Sequence, residues 1–312
     1  MMGYLGELIS LGVAFSWTIA ALSSEIGSKR LGVFVMNVWR MGVTLLLSAL
    51  LMWLTLGQPY PVYAGGEAWS WLLLSGVVGY FFGDWCLFNS YLTIGSRMGQ
   101  LFMTLAPMFA ALSAWIMIGQ TLAWTSLVAM AVTLMGISIS VLGRDDHHHV
   151  SVTLPVKGIL YGIGAGLGQG VGLVLSKIGL DHYIQNVPAD VLPQIESYLP
   201  FGSNMIRCVA GLVCFSMWLI LSGHAGRMRE SLRERKGLLA TMVAVFTGPF
   251  IGVGFSLMAV QYTAAGIAST IMALTPILIL LPSRWLFHQP ITMRNVVGAV
   301  ISVIGVSLFF LL

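Results

Sequence analysis

Charged side chains are scarce in this chain: Asp, Glu, Lys and Arg together make up 8% of its 312 residues, against about a quarter in a soluble domain. Hydrophobic residues make up 57%, and the mean hydropathy is +0.90. This balance excludes a soluble domain with a charged surface. The net charge of only +4 also argues against a basic surface for nucleic acid. We therefore expect the lipid bilayer and a small-molecule substrate as partners, and no nucleic acid.

Cysteine and clusters of metal-binding side chains are equally rare. Cys86, Cys208 and Cys214 lie in apolar segments without the spacing of metal ligands, which predicts buried free thiols. Residues 145–149 read Asp-Asp-His-His-His, but adjacent histidines in a polar loop more often bind no metal than one. The apolar segments also hold no constellation of His, Asp and Glu. We expect no catalytic residue and no metal, so the chain is not predicted to be an enzyme.

Glycine, by contrast, is abundant, and it concentrates between residues 162 and 172. Two interleaved rows, at 162/166/170 and 164/168/172, repeat every four residues. Small residues at this spacing let neighbouring membrane helices approach closely. The run lacks the strand–turn–helix context of a dinucleotide-binding loop. We therefore predict close helix packing on two sides of this segment and no cofactor.

Long hydrophobic runs dominate the rest of the chain. A membrane helix needs about 20 mostly apolar residues. Sliding hydrophobicity predicts ten such helices, at 5–25, 31–57, 69–93, 97–119, 121–143, 157–178, 199–223, 237–262, 265–287 and 291–312. A hydrophilic connection, 144–156, separates a first unit of five helices, 1–143, from a second unit of five, 157–312.

The two units repeat each other. When the sequence is displaced along itself, Pro107 aligns with Pro276 and Gly136 with Gly305, without a gap between them. We call this constant displacement the repeat offset. An odd number of helices per unit makes the second unit insert upside down, as in many secondary transporters. The predicted fold is an all-α integral membrane protein, with ten transmembrane helices in two inverted five-helix repeats around a central cavity.

Particular motifs in the two units resemble those of a known family. The first unit carries Leu105-Ala106-Pro107, Ile118-Gly119-Gln120 and Gly136, and the second carries Leu274-Thr275-Pro276, His288-Gln289 and Gly305. These stretches resemble the signature of EamA-type members of the drug/metabolite transporter superfamily. The resemblance implies two inverted five-helix halves around a cavity, and export or exchange of small polar metabolites. The chain departs from the family at Gln120 and Gln289, where an acidic residue is common.

Two arginines interrupt the apolar segments, each three residues after an asparagine: Asn37 precedes Arg40, and Asn204 precedes Arg207. A charge inside a bilayer is costly and is usually functional. Arg40 and Asp84 are predicted at similar depth. They form either a structural ion pair between two helices or a couple that binds substrate or a proton.

Arg207 has no deep acid at the corresponding position of its own unit. Its planar guanidinium suits a carboxylate or a phosphate, so we predict that anionic or zwitterionic ligands bind better than cations. The alternative is that Arg207 bonds to helix carbonyls or extends to the membrane interface.

The other candidates are single polar or aromatic side chains expected near the cavity. The substrate-binding candidates are Trp17, Tyr80, Gln100, Thr104, Gln169, Ser256 and Gln261, beside Asn37, Arg40, Asp84, Asn204 and Arg207. Pro107 and Pro276 are expected to act as hinges, because proline removes a helix hydrogen bond. Glu25 and Lys177, which are equivalent in the repeat, are expected at the membrane interface.

These features favour a secondary transporter, an exporter or exchanger of a small polar, zwitterionic or anionic metabolite such as an amino acid, working by alternating access. The alternative is a membrane-embedded lipid-handling enzyme or flippase. Asp84 is a candidate proton carrier, but Arg40 would hold it ionised. Proton coupling, exchange and facilitated diffusion therefore stay open, as does the oligomeric state, with a monomer among the options.

The basic side chains are distributed unevenly between the loops. They follow the odd-numbered helices: Lys29, Arg30, Arg97, Arg144, Lys157, Arg227, Arg229, Arg233, Arg235, Lys236 and Arg294. The loop 181–198, after an even-numbered helix, is acidic. Because loops rich in Lys and Arg stay in the cytoplasm, the protein is predicted in the cell (inner) membrane with both termini outside the cytoplasm. Members of the family are usually drawn with cytoplasmic termini.

This topology is testable with reporters fused to either terminus. We expect activity from an enzyme that works only outside the cytoplasm, and none from a reporter that works only inside it. A fusion within 227–236 is the internal control and is expected to give the opposite result. Cytoplasmic signals from both termini would contradict the charge-based topology.

Overall fold

A computed structural model describes residues 4–121, 123–144, 150–152, 154–263, 265–288 and 291–311. The helices of the first unit are α1 (Leu5–Leu31), α2 (Val33–Leu56), α3 (Gly66–Ser75), α4 (Trp85–Met103), α5 (Ala106–Ile118) and α6 (Trp124–Val141). Those of the second are α7 (Val156–Asn186), α8 (Leu192–Ile195), α9 (Leu199–Leu221), α10 (Gly226–Ser231), α11 (Arg235–Val245), α12 (Ile251–Tyr262), α13 (Ala265–Met272), α14 (Thr275–Leu278), α15 (Leu280–Phe287) and α16 (Met293–Leu311). A 3₁₀ turn, Glu196–Tyr198, precedes α9.

Seven helical segments among the described residues are long and apolar enough to cross a membrane: Leu5–Leu31, Val33–Leu56, Gly66–Met103, Trp124–Val141, Val156–Asn186, Leu199–Leu221 and Ile267–Phe287. The apolar helices Ala106–Ile118 and Met293–Leu308 are shorter. The fold is therefore helical with several candidate spans, as predicted, and the count of ten stays a prediction.

The segment Gly66–Met103 is interrupted at one glycine. Gly95 has φ 81° and ψ 156°, a backbone conformation that only glycine adopts without strain. The hydrophobicity pattern predicts a boundary between 93 and 97, and the chain changes direction there.

The connection between the two units contains strands that the sequence analysis did not anticipate. Strand β1 (Leu142–Arg144) pairs antiparallel with β2 (Val150–Val152), with Leu142 opposite Val152. The valines of Val-Ser-Val are β-branched and favour an extended backbone. A search for apolar segments of helix length does not detect strands as short as these. Residues 145–149, the candidate metal clip, lie outside the described part of the chain.

Two irregular features recur at the same places in both units. A π-helical segment, Gly76–Asp84, joins α3 to α4, and another, Phe246–Phe250, joins α11 to α12. Turns at 104–105 and 273–274 precede α5 and α14. The repeat offset relates both pairs. Wide π turns often mark functional sites, and the first segment carries the candidate Asp84.

The packing of helices crosses between the units. Helix α1 of the first unit packs against α11, α12 and α13 of the second. Helix α7 packs against α3, the first π-helical segment, α4 and α5 of the first unit. Helix α2 packs on α9, and α6 packs on α16. Each unit therefore completes the other, with its first helix buried against the third and fourth helical regions of its partner.

Glycines make the approach of α7 possible. A Cβ on Gly168 would lie 2.6 Å from the Cα of Gly83, and one on Gly172 would lie 2.7 Å from the Cα of Gly79. These separations are too short for any side chain, so the backbones of α7 and the first π-helical segment touch directly. The row 164/168/172 thus serves the packing role that its spacing predicts.

The second glycine row faces the other neighbour of α7. A Cβ on Gly162 would lie 2.5 Å from the ring of Phe102, and one on Gly166 would lie 2.9 Å from the Cβ of Leu105. This row therefore packs on α4 and on the turn before α5. The prediction of close packing on two sides is met.

We expect Gly168→Ala to lower the free energy of unfolding by about 1–3 kcal/mol, because the methyl group must displace the backbone at Gly83. Gly12→Ala is the matched control, since no atom lies within 4 Å of a Cβ built on Gly12. Alanine is there the better helix former by about 0.5–1 kcal/mol. Thermal unfolding in detergent, followed by tryptophan fluorescence, measures both. Equal melting temperatures for the two variants would contradict the packing argument.

Candidate functional site

The predicted partnership between Arg40 and Asp84 forms in the structure. Arg40, on α2, donates from Nη1 to the Asp84 carboxylate and to Asn37 Oδ1 at 3.2 Å. The side chain of Asp84 is 2% exposed and that of Arg40 is 13% exposed. Charge-assisted hydrogen bonds of this kind are stronger than neutral ones. The ion pair therefore links α2 to the end of the first π-helical segment.

Gln169 of α7 extends this network into the second unit. Its Nε2 donates to Asp84 Oδ1 at 2.8 Å and to the carbonyl oxygen of Gly79 at 3.0 Å. Both carboxylate oxygens of Asp84 are thus occupied, one by Arg40 and one by Gln169. Each oxygen of the buried carboxylate therefore accepts a hydrogen bond, as a charge in an apolar region needs partners to remain there.

Arg207 of α9 is in a different position. It makes no ion pair with any residue that the structure describes. Its guanidinium carbon lies 4.4 Å from the ring centroid of Tyr80, a cation–π contact. Its Nε atom is buried without a hydrogen-bond partner.

Asn204, one turn earlier on the same face of α9, completes this arrangement. Its Oδ1 accepts a hydrogen bond from the Tyr80 hydroxyl, while its Nδ2 is buried and has no partner. The guanidinium carbon of Arg40 lies 5.9 Å from the same tyrosine ring. Tyr80 therefore lies between the two Asn–Arg motifs, and Arg207 and Asn204 present two unused donors beside it. We call the side chains of Asn37, Arg40, Tyr80, Asp84, Gln169, Asn204 and Arg207 the arginine cluster.

A second group of the predicted residues surrounds a cavity of about 280 Å³. We call it the inner cavity; it is lined by Trp17, Gln100, Met103, Thr104, Pro107, Ser269, Met272, Ala273, Thr275, Pro276 and Val306. Its walls come from both units. The structure thus divides the predicted site between this cavity and the arginine cluster, which have no residue in common.

Ser269 and Thr275 are polar lining residues that the sequence analysis missed. Ser269 is the counterpart of Gln100 under the repeat offset, just as Met272 is the counterpart of Met103. Applying the repeat offset to each candidate would have identified Ser269. Thr275 corresponds to Ala106, which is apolar, so no comparable signal existed for it.

The prolines were expected to act as hinges because each would remove a helix hydrogen bond, and the structure shows that neither does so. Pro107 and Pro276 occupy the first turn of α5 and of α14, where the missing N–H would have no helical partner in any case. The interruption lies two to three residues earlier, in the turns at 104–105 and 273–274. Both prolines border the inner cavity. Their action as hinges stays a prediction.

Tyr91 connects the arginine cluster with the inner cavity. Its hydroxyl accepts a hydrogen bond of 2.5 Å from Gln100 Nε2. Its ring lies 5.6 Å from that of Phe88, over which the guanidinium of Arg40 is centred at 5.1 Å. Of the remaining candidates, Ser256 is half-buried on α12, and the side chain of Gln261 lies outside the described part of the structure.

Glu25 is buried against the break in α4, and its expected position at the membrane interface stays a prediction. Its side chain is 0% exposed. One carboxylate oxygen lies 2.5 Å from Lys29 Nζ, and the other accepts a 2.7 Å hydrogen bond from the backbone N–H of Ser96. The break at Gly95 exposes this N–H, and nothing in the local sequence of α1 indicates that α4 lies beside it. Lys177, its counterpart in the repeat, is exposed.

The thiols of Cys86 and Cys208 are buried and free, and that of Cys214 is free and half-buried. Within the described residues, no group of three or more His, Cys, Asp or Glu side chains is placed to hold a metal.

Comparison with known proteins identifies the family. Residues 4–142 and 156–311 each match the model of the EamA-like transporter family. One solved crystal structure of a protein aligns with 97% of this chain over 96% of its own, with 15% sequence identity and a TM-score of 0.55. At that identity the likeness concerns the fold alone. No curated protein matches the sequence significantly. Because the family model matches twice and covers nearly the whole chain, this multi-pass membrane protein belongs to the EamA-like transporter family of the drug/metabolite transporter superfamily.

Proposed function

We propose that this protein is a secondary transporter of a small anionic or zwitterionic metabolite, such as an amino acid. The observation that carries the proposal is Arg207: a guanidinium in a mostly apolar segment that forms no ion pair with any described acid and whose Nε atom has no hydrogen-bond partner. A charge at that depth is costly unless a partner compensates it. A ligand with a carboxylate or phosphate group supplies that partner.

The hydrogen-bonding capacity of the arginine cluster supports the same ligand class. Arg207 Nε and Asn204 Nδ2 are donors without acceptors. Both oxygens of Asp84 are already bonded to Arg40 and Gln169. A cationic ligand would meet a carboxylate that is already occupied, whereas an anionic group would meet two free donors and a net positive charge. The cluster therefore favours acceptor groups over donors.

We further propose that the two units form inverted halves of ten helices in total, which rock about the site between them. The reciprocal contacts of α6 and α16 support this arrangement. A Cβ on Gly136 would meet Ser302, and one on Gly305 would meet Thr133. Thr133 corresponds to Ser302, and Gly136 to Gly305, under the repeat offset. A pseudo-two-fold axis produces reciprocity of this kind.

Transport also requires a path, and we propose that the inner cavity belongs to it. The cavity lies between the units and is bordered by the turn before each proline. Rocking of the halves changes the distances across such a boundary, so bound substrate would experience the movement.

Arg40 and Gln169 both hold the Asp84 carboxylate by hydrogen bonds. Exchange and facilitated diffusion do not require this carboxylate to gain or lose a proton, so both are compatible with these bonds.

The ligand class is testable with a thermal-shift screen of amino acids, organic acids, nucleotides and organic cations. A ligand that binds only the folded state raises the melting temperature by mass action. We expect an anionic or zwitterionic class to stabilise the protein. We expect Arg207→Gln to weaken that ligand by about tenfold or more, since one charge-assisted contact contributes about 1.5–3 kcal/mol.

Arg233→Gln is the matched control, because it removes the same charge from an exposed loop position. Its ligand-induced shift is expected to equal that of the unmodified protein. Stabilisation by cations alone, or equal ligand affinity in the two variants, would contradict the proposal.

A second test measures how strongly the Arg40–Asp84 pair stabilises the folded protein. Arg40→Met and Asp84→Leu each leave one buried charge without its partner, so each is expected to lower the free energy of unfolding by about 3–5 kcal/mol. The double variant leaves no unpaired charge and is expected to lose less than the sum of the two. Denaturant-induced unfolding in detergent gives all three values. Strict additivity would show that the two charges do not stabilise each other.

A further inference from the structure

A cavity of about 520 Å³ lies where α2 and α7 end. This volume is within the range of about 300–1,000 Å³ typical of small-molecule sites. We call it the tyrosine cavity, and its polar lining side chains are Thr55, Gln58, Tyr60, Tyr63, Tyr183 and Gln194. None of its described lining residues belongs to the arginine cluster or to the inner cavity.

Both units build the tyrosine cavity. The first unit provides the last turns of α2 and part of the connection 57–65, and the second provides Tyr183 of α7 and part of the segment 191–195. Tyr183 and Ile195 belong to the same buried hydrophobic cluster as Leu199. This packing fixes the wall that the second unit contributes, so the polar groups on that wall have defined positions.

Tyr183 carries an unused hydroxyl in this wall. The residue is 2% exposed, yet its side chain makes no hydrogen bond with any described residue. A Cβ built on Gly202 would lie 3.1 Å from the hydroxyl oxygen, so the glycine leaves room for the hydroxyl but offers it no side chain. Unlike the sealed Oγ of Ser203, this oxygen keeps contact with open space. Because buried hydroxyls normally have a partner, the cavity is the side from which a partner can reach it.

Four further side chains of the lining have the same unused capacity. Those of Gln58, Tyr60, Tyr63 and Gln194 make no hydrogen bond with any described residue. A hydroxyl and a carboxamide each supply both donors and acceptors. The wall of the cavity therefore offers donors and acceptors together, beside aromatic rings that can pack on a carbon skeleton.

The charges favour an uncharged ligand. No described lining residue carries a formal charge. The adjoining segment exposes Asp181, Asp190 and Glu196, which disfavour the approach of an anion. An ammonium group only donates, and the described wall offers it no carboxylate. Hydroxyl groups both donate and accept, as the lining side chains do.

We propose that the tyrosine cavity binds an uncharged, hydroxyl-rich compound such as a monosaccharide, with the Tyr183 hydroxyl as one of its hydrogen-bond partners. The site is separate from the anion site at Arg207, and it does not depend on the identity of the transported substrate.

The test compares three ligands that share one ring and differ in charge: glucose, glucosamine and glucuronate. Their affinities for the full-length protein are measured by saturation-transfer NMR, in phosphatidylcholine nanodiscs free of sugar-based detergent. We expect glucose to bind more tightly than either charged compound. No binding of glucose, or tighter binding of glucosamine, would overturn the proposal.

Glucuronate is also measured in Arg207→Gln, so that binding of its carboxylate at the arginine cluster is not counted. Tighter binding of glucuronate than of glucose in this variant would overturn the assignment of an uncharged ligand.

Tyr183→Phe removes the hydroxyl and keeps the ring that packs in the wall. We expect it to weaken glucose binding by about two- to tenfold, the range for one neutral hydrogen bond. Tyr161→Phe is the matched control, because Tyr161 lies on the same helix but does not line the tyrosine cavity. Its affinity for glucose is expected to equal that of the unmodified protein. Equal affinities in the two variants would overturn the role of Tyr183.

Gln194→Leu provides a second variant at an exposed position, where folding is expected to be unaffected. It removes a polar group from the opposite end of the same wall and is expected to weaken glucose binding by a similar factor. Unchanged binding in both Gln194→Leu and Tyr183→Phe would exclude the tyrosine cavity as the site.

Arg207→Gln keeps this proposal distinct from the proposed transport function. Glucose binding is expected to be unchanged in that variant, even where it weakens an anionic or zwitterionic substrate. Glucose binding that is lost in Arg207→Gln and kept in Tyr183→Phe would place the sugar at the arginine cluster and overturn the present proposal alone.

Discussion

Arg40 and Asp84 carry opposite charges into the apolar interior, and each depends on the other to remain there. An isolated charge at this depth would cost several kcal/mol, while a pair with satisfied hydrogen bonds is tolerated. Asn37 and Gln169 provide the additional bonds. These hydrogen bonds fix the positions of α2, the first π-helical segment and α7 relative to one another. The close approach of α7 depends in turn on glycines, since any side chain would separate Gln169 from Asp84.

The two Asn–Arg motifs share the same three-residue spacing but differ in their partners. In the first unit the arginine is neutralised within the protein. In the second unit Arg207 stacks on Tyr80 and retains an unbonded Nε. Both guanidinium groups approach the ring of Tyr80. The first unit contributes the ion pair of Arg40 with Asp84, and the second unit contributes two donors without acceptors, Arg207 Nε and Asn204 Nδ2. The second unit has Val253 at the position that corresponds to Asp84 under the repeat offset, so Arg207 has no counterpart of the Asp84 carboxylate within its own unit.

Several parts of the site could be predicted from sequence because they depend on spacing along one helix. The three-residue interval places each asparagine beside its arginine, and the four-residue glycine rows predict the two packed faces of α7. The repeat offset relates the π-helical segments, the turns before the prolines, and Gln100 to Ser269. Hydrophobicity located the boundary near Gly95 but could not show that its backbone bends there. The β-hairpin was missed because its strands are far shorter than the pattern being sought.

The sequence by itself determined the membrane class, the duplication, the family and the residues that carry unusual polarity, because composition and periodicity are properties of the chain alone. The tertiary structure decided which of those residues meet. It brought Glu25 to the N–H of Ser96, placed Tyr80 between two arginines, and gave Trp17, Gln100 and both prolines to a cavity that excludes the arginines. A helical period shows which face a side chain shares, but the neighbour opposite that face depends on how distant helices pack.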